Sequence, residues 1–281
     1  MTTCRRTTET TAPFPLTWLY VPGDRPHVVA KALVSGADVV VIDLEDAVAP
    51  DRKDCARAAT ADLLTHPQPV PVHVRINGLD TSWAQTDIQA LLGLPGLDGL
   101  RLPKVTSPDD IRHLADRTAA LPLYALLESA LGIEHAYAIA TAHPALRGIS
   151  LGEADLRADL GVRDDLGLDW CRSRIVVAAR AAGLAPPPQS VHPDTRDLGG
   201  LAASCAHGRA LGFLGRAAIH PRQLPIIERA YLPTEAEVEQ AETIIKAATT
   251  EQGAQALPDG SFIDAAVVAT ARRTLSLLNR R

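Results

Sequence analysis

Five short runs of mostly apolar residues along this chain each end at a charged residue. The runs are residues 39–42 before Asp43, 70–74 before Arg75, 100–103 before Lys104, 123–127 before Glu128, and 146–152 before Glu153 and Asp155. Short apolar runs are typical of strands that are buried in a parallel sheet. Charged groups at the carboxyl ends of several such strands are typical of the catalytic rim of a (β/α)8 barrel.

Helical segments separate the apolar runs, so that predicted strands and helices alternate along the chain. We predict strands at residues 18–21, 37–43, 71–76, 99–102, 123–127, 148–151, 189–192 and 217–219. We predict helices at residues 26–35, 51–64, 83–92, 132–142, 173–182 and 198–210, and another that begins at the cap Ser107-Pro108. The alternation predicts an α/β fold with a parallel sheet, and eight strands predict a (β/α)8 TIM barrel.

A doubly wound open sheet is the alternative architecture for the same alternation. Such sheets usually carry a glycine-rich phosphate-binding turn, G-x-G-x-x-G, after the first strand. The first turn here is Pro22-Gly23-Asp24-Arg25-Pro26, which lacks that pattern. The first turn therefore favours the barrel.

The chain extends beyond what a barrel requires. Two further helical stretches, residues 235–249 and 265–279, follow the last predicted strand. We therefore predict a barrel domain at residues 14–232 and a C-terminal helical arm or lid at residues 233–281. Residues 1–13 are polar and rich in threonine, which predicts a disordered tail.

Composition and charge narrow the class of partner. The 281 residues are 46% hydrophobic and 22% charged, which is ordinary for a globular protein. A formal net charge of −5 argues against a nucleic-acid-binding protein, which would usually be basic. The negative net charge does not exclude an anionic small substrate, because local fields rather than the total charge steer ligands.

The cysteines and the apolar segments indicate the compartment. None of the four cysteines lies in a C-x-x-C pair, so we expect free thiols in a reducing cytosol rather than a zinc or redox motif. The N-terminus lacks the apolar core of a secretory signal, and no apolar run reaches the ~20 residues of a membrane span. We therefore expect a cytoplasmic protein without membrane contact.

Glu128 and Asp155 form the leading candidate for a metal site. Each follows an apolar run, and the two predicted strands are consecutive, so that the carboxylates can be neighbours on one rim. Two carboxylates, completed by water and an oxygen-rich ligand, are typical of Mg²⁺ coordination. The alternative is that one or both acids cap helices or form surface ion pairs.

The other charged strand ends supply cations and supporting acids. Arg75 is expected to bind a substrate carboxylate or carbonyl, and an internal ion pair with Asp43 or Glu45 is compatible with that role. Lys104 is either a Schiff-base lysine or a counter-ion of Glu45 or Glu128. We favour the counter-ion, because a Schiff base would be redundant beside a metal. Asp43 and Glu45 are predicted to orient the residues that bind metal and substrate.

Seven blocks of sequence around the predicted strand ends together form a recognisable pattern. They are LYVPGDRP at residues 19–26, VIDLEDAV at 41–48, VRING at 74–78, LPK at 102–104, LESA at 127–130, LGEADLRADLG at 151–161 and GFLGRAAIHP at 212–221. In this order and spacing they resemble the citrate lyase beta-subunit-like (CitE-like) branch of the HpcH/HpaI aldolase superfamily. The resemblance extends over nearly the whole chain after the first 13 residues.

The resemblance implies a TIM barrel, commonly a homotrimer, that makes or breaks a carbon–carbon bond in an acyl-CoA thioester with Mg²⁺. It implies that Glu128 and Asp155 bind the metal and that Arg75, with Glu128, contacts the substrate. It also implies that Asp264, on the C-terminal arm of a neighbouring subunit, completes the site as acid or base. The expected substrates are malyl-, citramalyl- or citryl-type 3-hydroxyacyl-CoA thioesters, which yield an acyl-CoA and a small 2-oxo acid.

Three features depart from the usual pattern of that family. The order Gly152-Glu153-Ala154-Asp155 replaces the more common Gly-Ala-Glu-Asp. Arg216 stands where a lysine is usual, and the segment between Gly161 and Trp170 is shorter than in many relatives. These differences bear on contacts around the metal, on phosphate contacts and on the shape of the mouth, respectively.

Two alternative functions remain open from the sequence. One is a citrate lyase beta subunit that acts on an acyl-carrier-protein thioester. The other is a non-catalytic homologue that binds a CoA ester or oxo acid. The presence of Arg75, Glu128 and Asp155 argues against the second.

Overall fold

The computed structural model describes residues 14–118, 121–250, 255–256 and 262–278. The predicted disordered tail at residues 1–13 lies outside the described residues. The described residues divide into two compact units, Leu16–Tyr231 and a smaller unit that contains the described residues from Leu232 onward.

A parallel sheet forms the centre of the larger unit. Its strands are β1 Thr17–Pro22, β2 Val39–Asp43, β3 Val72–Arg75, β4 Gly99–Leu102, β5 Leu123–Leu127, β6 Leu146–Leu151 and β7 Arg216–Ala218. Their order is β6-β5-β4-β3-β2-β1-β7, and all neighbours are parallel. The predicted α/β fold with a parallel sheet is therefore confirmed.

The strand predicted at residues 189–192 is not formed. Gln189 makes a single parallel bridge to Arg216, through Gln189 N to Gly215 O and Ala217 N to Gln189 O. The flanking prolines explain this, since Pro186–Pro188 and Pro193 have no N–H groups to donate to a ladder. The parallel sheet of the larger unit thus contains seven strands and one bridge among the described residues, where eight strands were predicted.

Helices follow most of the strands. They are α1 Pro26–Ala32, α2 Lys53–Leu64, α3 Ser82–Leu91, α4 Pro108–Ala115, α5 Ala130–Glu134, α6 Ala136–Ala140, α7 Glu153–Leu160, α8 Asp169–Ala181, α9 Leu198–Leu211 and α10 Leu224–Tyr231. The cap predicted at Ser107 is confirmed as a capping box, in which Ser107 Oγ accepts from Asp109 N and Asp110 accepts from Ser107 N at 2.9 Å. The single helix predicted at residues 132–142 is two short helices separated at His135.

Aromatic and β-branched side chains form a cluster in the interior of the curled sheet. Trp18 and Tyr20 of β1 pack there against Val39 and Val41 of β2. Every residue of β2 is buried, as expected of a central strand of a parallel sheet.

The smaller unit contains α11 Glu235–Thr250, α12 Ala265–Ser276 and a two-residue antiparallel pairing of β8 Gln255–Ala256 with β9 Phe262–Ile263. Ala241, Ile244, Ile263 and Ala271 form its buried cluster. Among the described residues, none of the helices combines the length and apolar character that crossing a membrane requires.

Candidate active site

A cavity of about 760 Å³ opens at the carboxyl ends of the strands. Ser150 of β6 and Ala217 of β7 both line it, although these strands lie at opposite edges of the sheet. The sheet therefore curls around the cavity. The charged residues that line it are Arg25, Lys31, Asp43, Asp46, Arg75, Arg101, Glu128, Glu153 and Asp155.

Arg75 is held in place by two carboxylates. Its Nε donates to Asp43 Oδ1 at 2.9 Å and its Nη2 to Asp43 Oδ2 at 2.5 Å, a bidentate pair. Glu45 Oε2 lies 3.0 Å from Nη1. Burial acts to lower the pKa of Arg75, but Asp43, together with Tyr20 and Glu45, more than reverses this and raises it. The predicted ion pair of Arg75 is therefore present, and the arginine still lines the cavity.

Lys104 contacts Glu45, as the counter-ion interpretation predicts. Its Nζ donates to Glu45 Oε1 and lies 3.6 Å from Asp46. Burial lowers the pKa of Lys104, but the hydrogen bond and charge of Glu45 outweigh it and raise the pKa. A raised pKa disfavours the neutral amine that a Schiff base requires. Lys104 also has a φ of 55°, the one positive value among the described non-glycine residues.

Glu128 follows β5 and is almost fully buried, with 4% of its surface exposed. Its Oε2 is buried without a hydrogen-bond partner among the described residues. Burial is the main cause that raises the pKa of Glu128 to about 8, and the negative charges of Glu45 and Asp155 contribute. The carboxylate packs over Gly152, where a Cβ would overlap it. Glycine at position 152 therefore makes room for this side chain.

Asp155 completes the pair of carboxylates. It is exposed, lies in the first turn of α7 and lines the same cavity as Glu128. The two carboxylates fit Mg²⁺, because an unsatisfied buried oxygen beside a second acid would be stabilised by a cation. No set of three or more His, Cys, Asp or Glu side chains suited to enclose a metal occurs among the described residues. A metal here would rely on water and substrate oxygens for its remaining ligands.

Glu153 stands one position before the glutamate of the usual family pattern, and it pairs with an arginine of another helix. Arg172 of α8 donates to both its carboxylate oxygens, at 2.9 and 2.7 Å, and also contacts Asp165 and Asp169. The fork of Arg172 thereby joins the first turn of α7 to α8. Glu153 contributes to positioning the helix that carries Asp155.

Lys53 of α2 supports the loop that carries Glu45, and sequence reasoning did not find it. Its buried Nζ donates to the carbonyl oxygens of Leu44 and Glu45, both at 3.0 Å, and to Asn77 Oδ1 at 2.6 Å. Asp87 in turn accepts from Asn77 N at 2.9 Å and from Nδ2 at 2.7 Å. A buried lysine on an Ala-rich helix carries no local motif, so only the three-dimensional contacts identify it.

Arg101 of β4 was also missed. It lines the cavity, is 3% exposed and pairs in register with Arg75. Its position between Leu100 and Leu102 was a signal, because alternation places a charge in a buried strand on the interior face.

Arg216 and Asp264 have partners within their own units. Arg216 donates through Nη1 to Gln189 Oε1 at 3.1 Å and to Ser204 Oγ at 2.9 Å, and is not among the lining residues. Asp264 lies in the smaller unit, where its Oδ1 accepts from Ala266 N and Val267 N, both at 2.9 Å. In the structure Asp264 is thus the N-cap of α12.

Comparisons with known proteins agree with the predicted family. The model of the HpcH/HpaI aldolase/citrate lyase family matches residues 16–221. A (3S)-malyl-CoA thioesterase of Cereibacter sphaeroides (strain ATCC 17025 / ATH 2.4.3) is 38% identical over 267 residues, 92% of either chain. A citrate lyase subunit beta of Escherichia coli (strain K12) is 32% identical over 277 residues, 92% of this chain and 91% of that protein.

A solved structure is similar over almost the full length. It is the protein CitE from Mycobacterium tuberculosis, in complex with magnesium, acetoacetate and coenzyme A. The TM-score is 0.80 at 34% identity, with 96% of this chain and 98% of that chain covered. The match extends beyond the residues that the family model covers.

Proposed function

Because the chain belongs to the HpcH/HpaI aldolase/citrate lyase family, we propose that it is a Mg²⁺-dependent carbon–carbon lyase acting on a 3-hydroxyacyl-CoA thioester. The substrate is of malyl, citramalyl or citryl type, and the products are an acyl-CoA and a 2-oxo acid. The observation that carries this proposal is the buried Glu128, whose unsatisfied oxygen shares a cavity with Asp155 and Arg75. The magnesium, acetoacetate and coenzyme A of the mycobacterial structure support the same chemistry.

Glu128 and Asp155 would hold the metal, which when bound supplies Lewis-acid polarisation of substrate oxygens. Arg75 presents its guanidinium to the substrate oxygens while Asp43 and Glu45 fix its direction. Arg25 and Lys31 line the cavity and offer positive charge to the phosphates of a CoA.

In the cleavage direction the 3-hydroxyl loses its proton and the bond between C2 and C3 breaks. The oxygen on C3 becomes the carbonyl of the oxo acid, and the electron pair passes to C2 as a thioester enolate. Protonation of C2 gives the acyl-CoA. We assign both proton transfers, from the 3-hydroxyl and to C2, to Asp264 of a neighbouring subunit acting as base and then as acid. The proposed assembly is a cytoplasmic homotrimer of full (β/α)8 barrels with C-terminal arms.

The test is condensation followed by mass spectrometry. Acetyl-CoA or propionyl-CoA is incubated with glyoxylate, pyruvate or oxaloacetate and Mg²⁺, with EDTA as the control. A Mg²⁺-dependent hydroxyacyl-CoA is the expected product, and its mass identifies the acyl group.

Glu128→Gln keeps the size of the side chain and removes its charge, so we expect turnover to fall by at least about a thousandfold. Circular dichroism and melting curves of the variant show whether it remains folded. A folded Glu128→Gln enzyme with activity within about tenfold of the wild type would contradict the metal assignment.

Thioester hydrolysis is a second candidate, favoured by the (3S)-malyl-CoA thioesterase among the relatives. Hydrolysis of malyl-CoA releases free CoA and malate, whereas carbon–carbon cleavage releases acetyl-CoA and glyoxylate. Chromatography of the products separates the two reactions.

A carrier-protein thioester is the third candidate, favoured by the citrate lyase subunit beta. Inertness toward free CoA esters, with turnover of a thioester bound to an acyl carrier protein, would support it.

A further inference from the structure

Arg101 brings a second guanidinium into the cavity, beside that of Arg75. The two arginines are register partners on β3 and β4. The ring of Tyr20 lies close to both, 5.5 Å from the guanidinium carbon of Arg75 and 5.8 Å from that of Arg101. A ligand bound at Arg75 therefore lies beside Arg101, which is its register partner on the adjacent strand.

The two arginines differ in their partners. Arg75 is neutralised by Asp43 and Glu45. In the part of the chain that the structure describes, Arg101 has no carboxylate partner; it faces the rings of Trp18, Tyr20 and Tyr124 at 5.9, 5.8 and 5.3 Å. Its one hydrogen bond there, to Tyr20 Oη, is long at 3.4 Å, and its Nε is buried without a partner.

The imidazole of His73, near Arg101, is neutral. His73 stacks on Tyr124 with ring centroids 4.5 Å apart, and burial, with the charge of Arg101, lowers the pKa of His73 well below 6.5. An arginine remains charged at any physiological pH. A buried cation with only aromatic faces and an unsatisfied Nε has unused capacity for a planar anion.

The cavity has room for such an anion. Ser150 and Ala217, both small, line the same cavity as Arg101. Gly99 and Gly148 leave space for the ring of Tyr124, which a Cβ at residue 99 would meet at 2.8 Å and at residue 148 at 3.1 Å. The ring of Tyr124 is not among the residues that line the cavity, whereas Tyr20 and Arg101 are.

We propose, on the premise that the lyase activity proposed above holds, that Arg101 determines specificity by binding a second carboxylate on the acid half of the substrate. The favoured substrate class is then a thioester whose cleavage releases a dicarboxylic 2-oxo acid. Thioesters that release a monocarboxylic oxo acid leave the guanidinium of Arg101 unpaired and are poorer substrates.

Two matched ligand pairs, each differing by one carboxylate, test this inference. Condensation with acetyl-CoA compares oxaloacetate with pyruvate. Equilibrium binding in the presence of Mg²⁺ compares malate with lactate. The wild-type protein is expected to favour the dicarboxylate of each pair by about ten- to a hundredfold, which is the strength of a hydrogen-bonded charge pair.

Arg101→Met is expected to remove that preference. Binding of malate falls to the level of lactate, KM for oxaloacetate rises by about ten- to a hundredfold, and the values for pyruvate and lactate change by less than about threefold. Arg101→Lys keeps the charge without the planar fork and recovers part of the preference. Arg112→Met, which removes an exposed arginine of α4 paired with Asp109, is the matched control and leaves the preference unchanged.

Equal wild-type binding of malate and lactate would overturn the inference, and this comparison requires no folded variant. A loss in Arg101→Met that is equal for mono- and dicarboxylates would also overturn it, since that indicates a structural role. If no oxo acid condenses but malate is preferred through Arg101, the lyase proposal fails and the carboxylate site stands. If condensation favours pyruvate, the lyase proposal stands and the inference fails.

Discussion

At the scale of single residues, the candidate site contains two buried carboxyl groups whose pKa values are raised. Glu128 is buried with an unsatisfied oxygen and a raised pKa. Glu45 is buried as well, and burial raises its pKa although Arg75 and Lys104 act to lower it. Such clusters are characteristic of functional sites rather than of stable cores.

Lys104 allows the backbone conformation and the charge to be tested separately. A lysine in the left-handed region costs about 1 kcal/mol that glycine does not. Both Lys104→Gly and Lys104→Ala remove the ion pair to Glu45. We therefore expect Lys104→Gly to be more stable than Lys104→Ala by about 1 kcal/mol.

We expect activity to depend on the charge of residue 104 and not on its backbone conformation. Both variants leave Glu45 without its lysine, so both are expected to lose at least about tenfold in kcat/KM. Urea unfolding measures the difference in stability between Lys104→Gly and Lys104→Ala, and the condensation assay measures kcat/KM. Equal stability of the two variants would show that φ at residue 104 carries no strain.

At the scale of elements, side chains from helices α2 and α8 hold the segments that follow two of the strands, β2 and β6. Lys53 of α2 binds the carbonyl oxygens that precede and include Glu45. Arg172 of α8 holds the first turn of α7, two residues from Asp155. The shifted Glu153 is therefore compensated by a partner on the next helix.

Arg172→Met tests this connection. The change leaves the carboxylate of Glu153 without its bidentate partner, and we expect the free energy of unfolding to fall by about 3 kcal/mol. Mg²⁺ affinity is expected to fall as well, because α7 and Asp155 lose their anchor. Calorimetric titration with Mg²⁺ and urea unfolding measure the two effects.

The double variant Glu153→Met/Arg172→Met is the control for the unpaired charge. It removes both partners, so part of the lost stability should return. If the double variant is no more stable than Arg172→Met, the unpaired charge of Glu153 is not the cause of the lost stability.

At the scale of the whole molecule, the larger unit contains a parallel sheet that curls around a cavity with charged residues in its lining. A ligand that binds only the folded protein adds to its stability. If Glu128 and Asp155 hold Mg²⁺, a concentration a hundred times Kd adds about 2.7 kcal/mol. For a chain of this size the melting temperature should then rise by about 5 °C.

Calorimetric scans with and without Mg²⁺ measure this shift, which should be absent in Glu128→Gln. Ca²⁺ serves as a comparison ion for Mg²⁺, since Ca²⁺ takes more oxygen ligands than the two carboxylates provide. A shift of equal size in Glu128→Gln would locate the stabilising metal elsewhere.

Stability should also depend on pH through His73, which is buried and neutral. Its pKa is lowered well below 6.5 in the folded protein, so the unfolded chain binds more protons as pH falls below 6.5. His73 thus contributes a loss of stability on acidification, of at most about 1.4 kcal/mol per pH unit.

His73→Phe keeps an aromatic ring on Tyr124 and removes the titrating group. In this variant we expect the slope of the unfolding free energy against pH, between pH 5 and 6.5, to become smaller by at most about 1.4 kcal/mol per pH unit, the contribution of one proton. Urea unfolding at several pH values measures the slope. An unchanged slope would mean that another group carries the acid sensitivity.

Local sequence determined much of this protein. Gly99–Leu102 and Leu123–Leu127 form strands with the predicted bounds, because short apolar runs end there at Lys104 and Glu128. The same ends predicted that Arg75, Glu128 and Asp155 lie close together, since parallel strands bring their carboxyl ends to one edge, and all three line the cavity. Helix α7 was missed because Glu-Ala-Asp-Leu-Arg-Ala-Asp-Leu has only a weak apolar stripe.

Other features were decided only by the tertiary structure. The partners of Lys53, Glu153 and Arg216 come from distant segments, and no spacing rule connects Lys53 to Asn77 or Arg216 to Ser204. The state of Arg101 likewise depends on which rings surround it. Sequence patterns record the periodicity of one element at a time, whereas burial, charge pairing and pKa depend on how separate elements pack together.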